Sequence, residues 1–287
     1  MDIEVRPSAI VTTDWVAEQS DDPTVRIVEA SEDPTLYDRG HIPGAVRIDW
    51  ELDERDQFTV DFIARPAFEQ LMSRHGISKN TTIVLYGDQS NWFAAYTFWL
   101  CALFGHRDCR VMDGGRLKWE REGRPLEVAV PRYLETKYIA SEPDLSIRAF
   151  RDEVLRECLA PNGAAALLDV RSPEEYRGEL LGRAGSRRDP ARRAGHIPQA
   201  RNIPWSLTTN EDGTFKRVDQ LRAIFLEAGI TPEQPVITYC GLGERGSHAW
   251  FVLSQLLGYT RVKNYDGSWT EWGSLIGAPV ELGEAAG

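Results

Sequence analysis

One pattern is written twice in this chain. Gly76-Ile77 falls on Gly229-Ile230, Tyr86 on Tyr239, Gly105 on Gly258, Asp113-Gly114 on Asp266-Gly267 and Trp119 on Trp272, each 153 positions apart without a gap. Upstream, the strand-like run 25–30 leads into Gly40-His41-Ile42-Pro43, as the run 166–171 leads into Gly195-His196-Ile197-Pro198. A period this long is a duplicated domain, not a solenoid repeat. Each copy reads strand, Gly-His-Ile-Pro turn, helix, strand, loop, helix, strand. That alternation implies an α/β protein of two tandem domains, each with a mostly parallel central sheet and helices on both faces. A proline-punctuated linker, Arg124 to Asp144, separates the copies, and the division predicted is 1–138 and 139–287.

The copies differ where chemistry would sit. In the second, the β-prone run Val236–Tyr239 ends at Cys240, and Ser247–Leu257 reads as a helix closed by Gly258. Between them, Gly241, Gly243 and Gly246 let the backbone curl until the N–H groups of Gly241, Leu242, Gly243, Glu244 and Gly246 point inward, making an anion cradle. A helix N-terminus and Arg245 add positive charge. These features predict an exposed thiol with a lowered pKa, and hence Cys240 as nucleophile. In the first copy the matching positions are Gly87 and Asp88, so that domain has no thiol in its loop and is inert in cysteine chemistry. Cys101, Cys109 and Cys158 are expected to be small buried hydrophobes. His41 and His196 occupy equivalent turns in both copies and are expected to hydrogen-bond there, while His248 is expected to be structural.

A net charge of −11 argues against nucleic-acid and anionic-membrane partners. An anionic substrate then needs a local positive site. The four cysteines show no C-x-x-C spacing, which fits a reducing cytoplasm. The charged N-terminus lacks an apolar signal core, and the longest apolar run, Trp92–Phe104, is too short to span a bilayer and reads as a buried helix. Tyr37 and His41 lie four residues apart, but Tyr176 and His196 lie twenty apart. The additional segment, within 178–195, carries Arg183, Arg187, Arg188, Arg192 and Arg193. It reads either as a solvated loop or as positive potential that steers an anion.

Tyr37-x3-His41-Ile42-Pro43-Gly44-Ala45 resembles the N-terminal signature of the tandem-domain rhodaneses, and the stretch Val262–Trp272 resembles the C-terminal one. Together with the Cys240 loop the resemblance covers nearly the whole chain, and it is closest to bacterial thiosulfate sulfurtransferases. It implies an inert first domain that helps form an interdomain cleft. The second-domain cysteine would take a sulfane sulfur from a small anionic donor, become a persulfide, and pass the sulfur to a thiophilic acceptor such as cyanide or to a protein acceptor. No metal or other cofactor is implied. Cys240 and Arg245 form Cys-x4-Arg, whereas dual-specificity phosphatases use the roomier Cys-x5-Arg. The glycines of Cys240-Gly241-Leu242-Gly243 are shared with 3-mercaptopyruvate sulfurtransferases, an alternative, but Glu244-Arg245 does not match them. A non-catalytic sulfur carrier is a second alternative. Arg245 is the expected ligand for a donor sulfonate. The mitochondrial-type enzymes place another arginine where this chain has Glu175, so Arg171 or Arg177 is the candidate substitute. Glu244 beside the nucleophile is unfavourable to a dianion unless it turns away or pairs with an arginine.

Overall fold

The computed structural model describes residues 8–182 and 191–284. These form two compact units, residues 1–144 with Glu211–Phe215, and Leu145–Asn210 with Lys216–Gly287. The Arg183, Arg187 and Arg188 positions of the insertion lie outside the described residues.

The first unit holds a five-stranded sheet of β1 (Ile10–Val11), β2 (Val25–Glu29), β3 (Val46–Arg47), β4 (Thr82–Tyr86) and β5 (Cys109–Met112), ordered β1-β5-β4-β2-β3. Every pairing is parallel. The second unit holds β6 (Ala166–Asp169), β7 (Arg201–Asn202), β8 (Val236–Tyr239) and β9 (Val262–Asn264), ordered β7-β6-β8-β9 and again wholly parallel. Parallel strands buried on both faces read as continuous apolar runs, as the Ile83–Tyr86 part of β4 does, with all four residues buried. The helix Trp92–Leu103 is buried at every position but Ala102, which explains its lack of an amphipathic stripe. Cys101 and Cys109 are buried in this unit and Cys158 in the other, as expected. Among the described residues, no helix is long and apolar enough to cross a membrane.

In each sheet the chain leaves the first central strand, β2 or β6, on one side and returns on its other side, at β4 or β8. β6 is flanked by β7 and β8, so the strand order switches direction there, and open α/β sheets bind ligands at the carboxyl ends beside such a switch. Cys240 follows β8 at that point.

Both Gly-His-Ile-Pro turns are built alike. His41 stacks on Tyr37 at 3.7 Å with Nδ1 2.9 Å from the Tyr37 carbonyl, and His196 stacks on Tyr176 at 3.6 Å with Nδ1 2.8 Å from the Tyr176 carbonyl. Each tyrosine hydroxyl donates across the turn, to Ala45 and to Ala200, at 2.7 Å. Both histidines are turn hydrogen-bonders, as the duplication suggested.

One buried ion pair is also duplicated, but from different residues. In the first unit Arg116 donates to Glu29, at the end of β2, and to the Gly40 carbonyl. In the second, Arg171 donates to Asp169, at the end of β6, and to the Gly195 carbonyl. The position matching Arg116 is Trp269, over which the Arg171 guanidinium lies 4.7 Å from the ring centroid.

Candidate active site

The loop after β8 is fixed by the next crossover. Ser268 Oγ accepts from the Cys240 N–H at 3.1 Å and donates to the Tyr265 carbonyl. The Cys240 carbonyl accepts from Trp269 N–H at 3.0 Å and the Gly241 carbonyl from Thr270 N–H at 2.9 Å. Asn264 donates to the Gly243 carbonyl at 3.1 Å, and Thr238 Oγ1 to the Gly246 carbonyl at 2.9 Å. Arg148 clamps Asp266 through two contacts of 2.9 and 3.1 Å.

Two glycines are needed here for separate reasons. Gly243 has φ +105°, and a Cβ on it would come within 2.9 Å of the Asp266 backbone. A Cβ on Gly246 would meet Asn264 Oδ1 at 2.5 Å. Gly243 ends the loop, and the helix runs Glu244–Phe251 before widening into a π turn over Val252–Leu256. The helix thus begins three residues earlier than the sequence suggested. Glu244 and Arg245 lie in its first turn, because the left-handed Gly243 can start a helix that no side-chain cap announces.

Cys240 is fully buried, with Sγ accepting from the Gly243 N–H at 3.1 Å and lying 3.7 Å from Glu244 Oε2. The expectation of an exposed, acidic thiol is corrected on both counts. Burial pushes the thiol pKa up and the Glu244 carboxylate pushes it further, outweighing Arg245 and the N–H groups of Gly246 and Gly243 that pull it down. The favourable groups are present, but desolvation of the buried thiol is the larger effect.

Arg245 is also buried, and its guanidinium is forked onto Glu175, Nη1 to Oε2 at 2.7 Å and Nη2 to Oε1 at 3.0 Å. Glu175 additionally accepts from the Ser172 N–H, closing a capping box at the start of the helix Pro173–Arg177. Burial raises the Glu175 pKa, but Arg245 and the cap outweigh it and hold the carboxyl below its ordinary range. Glu175, where the resemblance implied a donor-binding arginine, is instead the partner of Arg245. Ser172-Pro173-Glu174-Glu175 is a capping-box pattern visible in sequence, although its second duty was not.

The remaining candidates divide. Gly241, Leu242, Gly243, Glu244 and Gly246 are gathered in the loop and helix start around the sulfur. Arg171 is fully buried in its pair with Asp169, supporting the strand end. Arg177 is partly exposed and pairs with Glu179 and Glu284, so its contacts lie with the chain's C-terminal segment. Arg193 of the insertion donates to the carbonyls of Trp272, Gly273, Leu275 and Ala278, a structural tie. Ser268, Asn264 and Glu175 were missed. The signal for Ser268 lay in the repeat, where its counterpart is Gly115.

Residues 12–122 and 152–275 each match the rhodanese-like domain. The chain belongs to the rhodanese family. Rhodanese relatives include the sulfur carrier protein TtuD of Thermus thermophilus, 53% identical over 97% of this chain and 98% of its own. A Saccharopolyspora erythraea protein provisionally named a thiosulfate sulfurtransferase is 50% identical over 96% of this chain and 97% of its own. Among solved structures, the anaerobic ergothioneine biosynthesis enzyme from Chlorobium limicola, in complex with trimethyl histidine, is similar with TM-score 0.84 and 27% identity. That match covers 96% of this rhodanese and 70% of the enzyme.

Proposed function

We propose that this rhodanese is a thiosulfate sulfurtransferase that carries sulfane sulfur as a persulfide on Cys240. The observation that supports this most is a single thiol at the carboxyl end of β8, held by the Gly243 N–H at the start of the helix Glu244–Phe251. The deprotonated sulfur attacks the outer sulfur of thiosulfate, and the bond to the sulfonate sulfur breaks with its electron pair leaving on sulfite. The loop N–H groups stabilise the resulting persulfide anion. A thiophilic acceptor such as cyanide then takes the outer sulfur and returns the thiolate, so atoms and charge balance with no oxidant. Arg245, fixed by Glu175, lowers the cost of negative charge on sulfur from beneath the cradle.

A second reading, sulfur carriage to a protein acceptor, is favoured by the likeness to a sulfur carrier protein. Purified protein should turn over thiosulfate and cyanide, and Cys240→Ser should reduce turnover by about 10⁴-fold or more. Full activity in Cys240→Ser sinks the assignment. Loading of Cys240 from thiosulfate without turnover to cyanide favours the carrier.

A further inference from the structure

The position of Glu244 has a counterpart whose duty is known. In the first unit the matching residue is Asn91, and its side chain bridges the loop: Oδ1 accepts from the Gly87 N–H at 2.9 Å and Nδ2 donates to the Met112 carbonyl at 2.8 Å. In the second unit Ser268 performs the same bridge, between the Cys240 N–H and the Tyr265 carbonyl. Ser268 takes φ +50° to do so, a left-handed conformation that its counterpart Gly115 adopts at less cost. With the bridge supplied elsewhere, the side chain at 244 is a carboxylate placed 3.7 Å from the reacting sulfur.

A carboxylate there hinders attack on thiosulfate, whose leaving group, sulfite, departs as a stable anion needing no proton. It assists a donor whose leaving group is a thiolate, which leaves far more readily once protonated. The charged groups facing the sulfur are Glu244 and Arg245, the latter forked onto Glu175.

Resting on the Cys240 persulfide reading, we propose that Glu244 is a catalytic proton relay that equips this site for a second class of donor, the hydropersulfides R–S–SH. Glu244 takes the Cys240 proton as the Cys240 sulfur bonds to the outer sulfur of R–S–SH in its neutral form. The R–S to outer-sulfur bond breaks, its electron pair leaves on R–S, and Glu244 returns the proton to that sulfur. The products are R–SH and Cys240–S–SH, with no net change of charge or oxidation level.

The test is single-turnover loading of Cys240, followed by intact-protein mass, with thiosulfate and with glutathione hydropersulfide as donors. In Glu244→Gln and Glu244→Ala, hydropersulfide loading should fall on the order of 100-fold, while thiosulfate loading should rise because the dianion is no longer repelled. Glu244→Asp, which keeps the carboxylate, should recover at least about tenfold of that loss. Thiosulfate loading in the same samples reports that the variants are folded. Hydropersulfide loading that holds or rises in Glu244→Gln overturns the relay, because the carboxylate then only suppresses the thiolate. Equal loss with both donors in both neutral variants also overturns it, marking a structural role. Wild-type protein that loads from neither donor overturns the persulfide reading itself, and the relay with it.

Discussion

The loop after β4 and the loop after β8 descend from one design and now do different things. Both start where a central parallel strand ends, and both receive an N–H from the next crossover, Arg116 to the Gly87 carbonyl and Trp269 to the Cys240 carbonyl. In the first, Asn91 holds the loop from within, and the sulfur's position is a glycine. A Cβ at Gly87 would lie 2.1 Å from the Ala30 carbonyl oxygen, so the site has closed over the space a nucleophile needs. In the second, Ser268 holds the loop from outside, leaving room for a thiol and a carboxylate. The loop with a thiol thus differs from the loop without one in where its backbone is tethered as much as in the residue at the sulfur's position.

The largest expected effect breaks the support of the Cys240 loop. Glu175→Ala leaves Arg245 buried without its carboxylate, and urea unfolding should show a loss of about 3–5 kcal/mol. A loss below about 1 kcal/mol would mean that Arg245 finds another partner. Next, Gly87→Cys should destabilise by about 3 kcal/mol through its clash with the Ala30 backbone. Made in Cys240→Ser, it should restore no sulfur transfer. Restored activity would show the first loop to be merely unarmed rather than closed.

Smaller effects sharpen the bridge comparison. Asn91→Ala and Ser268→Ala should each cost about 1–3 kcal/mol in thermal or urea unfolding, by stranding a buried N–H. Only Ser268→Ala should also slow persulfide formation. Equal activity losses would show that the two loops are coupled.

The gentlest test is pH. Because the Cys240 pKa is raised by burial first and Glu244 second, alkylation of Cys240 should still be climbing above the ordinary thiol range, about 8.5. The folded state binds this proton more tightly than the unfolded chain does. The resulting stability is fully present below the unfolded thiol pKa and is lost as pH rises toward the folded one. Relative to Cys240→Ala, wild-type protein should therefore lose stability only above that range. An alkylation plateau near neutral pH would contradict the structure's electrostatics.

Much of this was legible in the sequence. The gapless repeat announced two α/β units, and β8, the buried helix and the paired histidine turns fell where local pattern placed them. Cys240 stood out because its counterpart was Gly87. What sequence could not weigh was burial, which reverses the expected direction of the thiol pKa, and pairing across long separations. Arg245 looked like a ligand for an anion, but seventy positions upstream Glu175 supplies a carboxylate of matching geometry. Arg171 looked available for a donor until its own strand end, Asp169, claimed it.

The duplicated guanidinium bears on how such halves could be recombined. Arg116 arrives after the last strand of its sheet, whereas Arg171 follows the first central strand of its own. A chimera joining the opening strand of the second half to the closing segment of the first would crowd two arginines into one buried socket. The reciprocal chimera would place Ser31 and Trp269 there, leaving a buried carboxylate with no cation. Although the two halves share a fold and a register, their segments are no longer interchangeable parts.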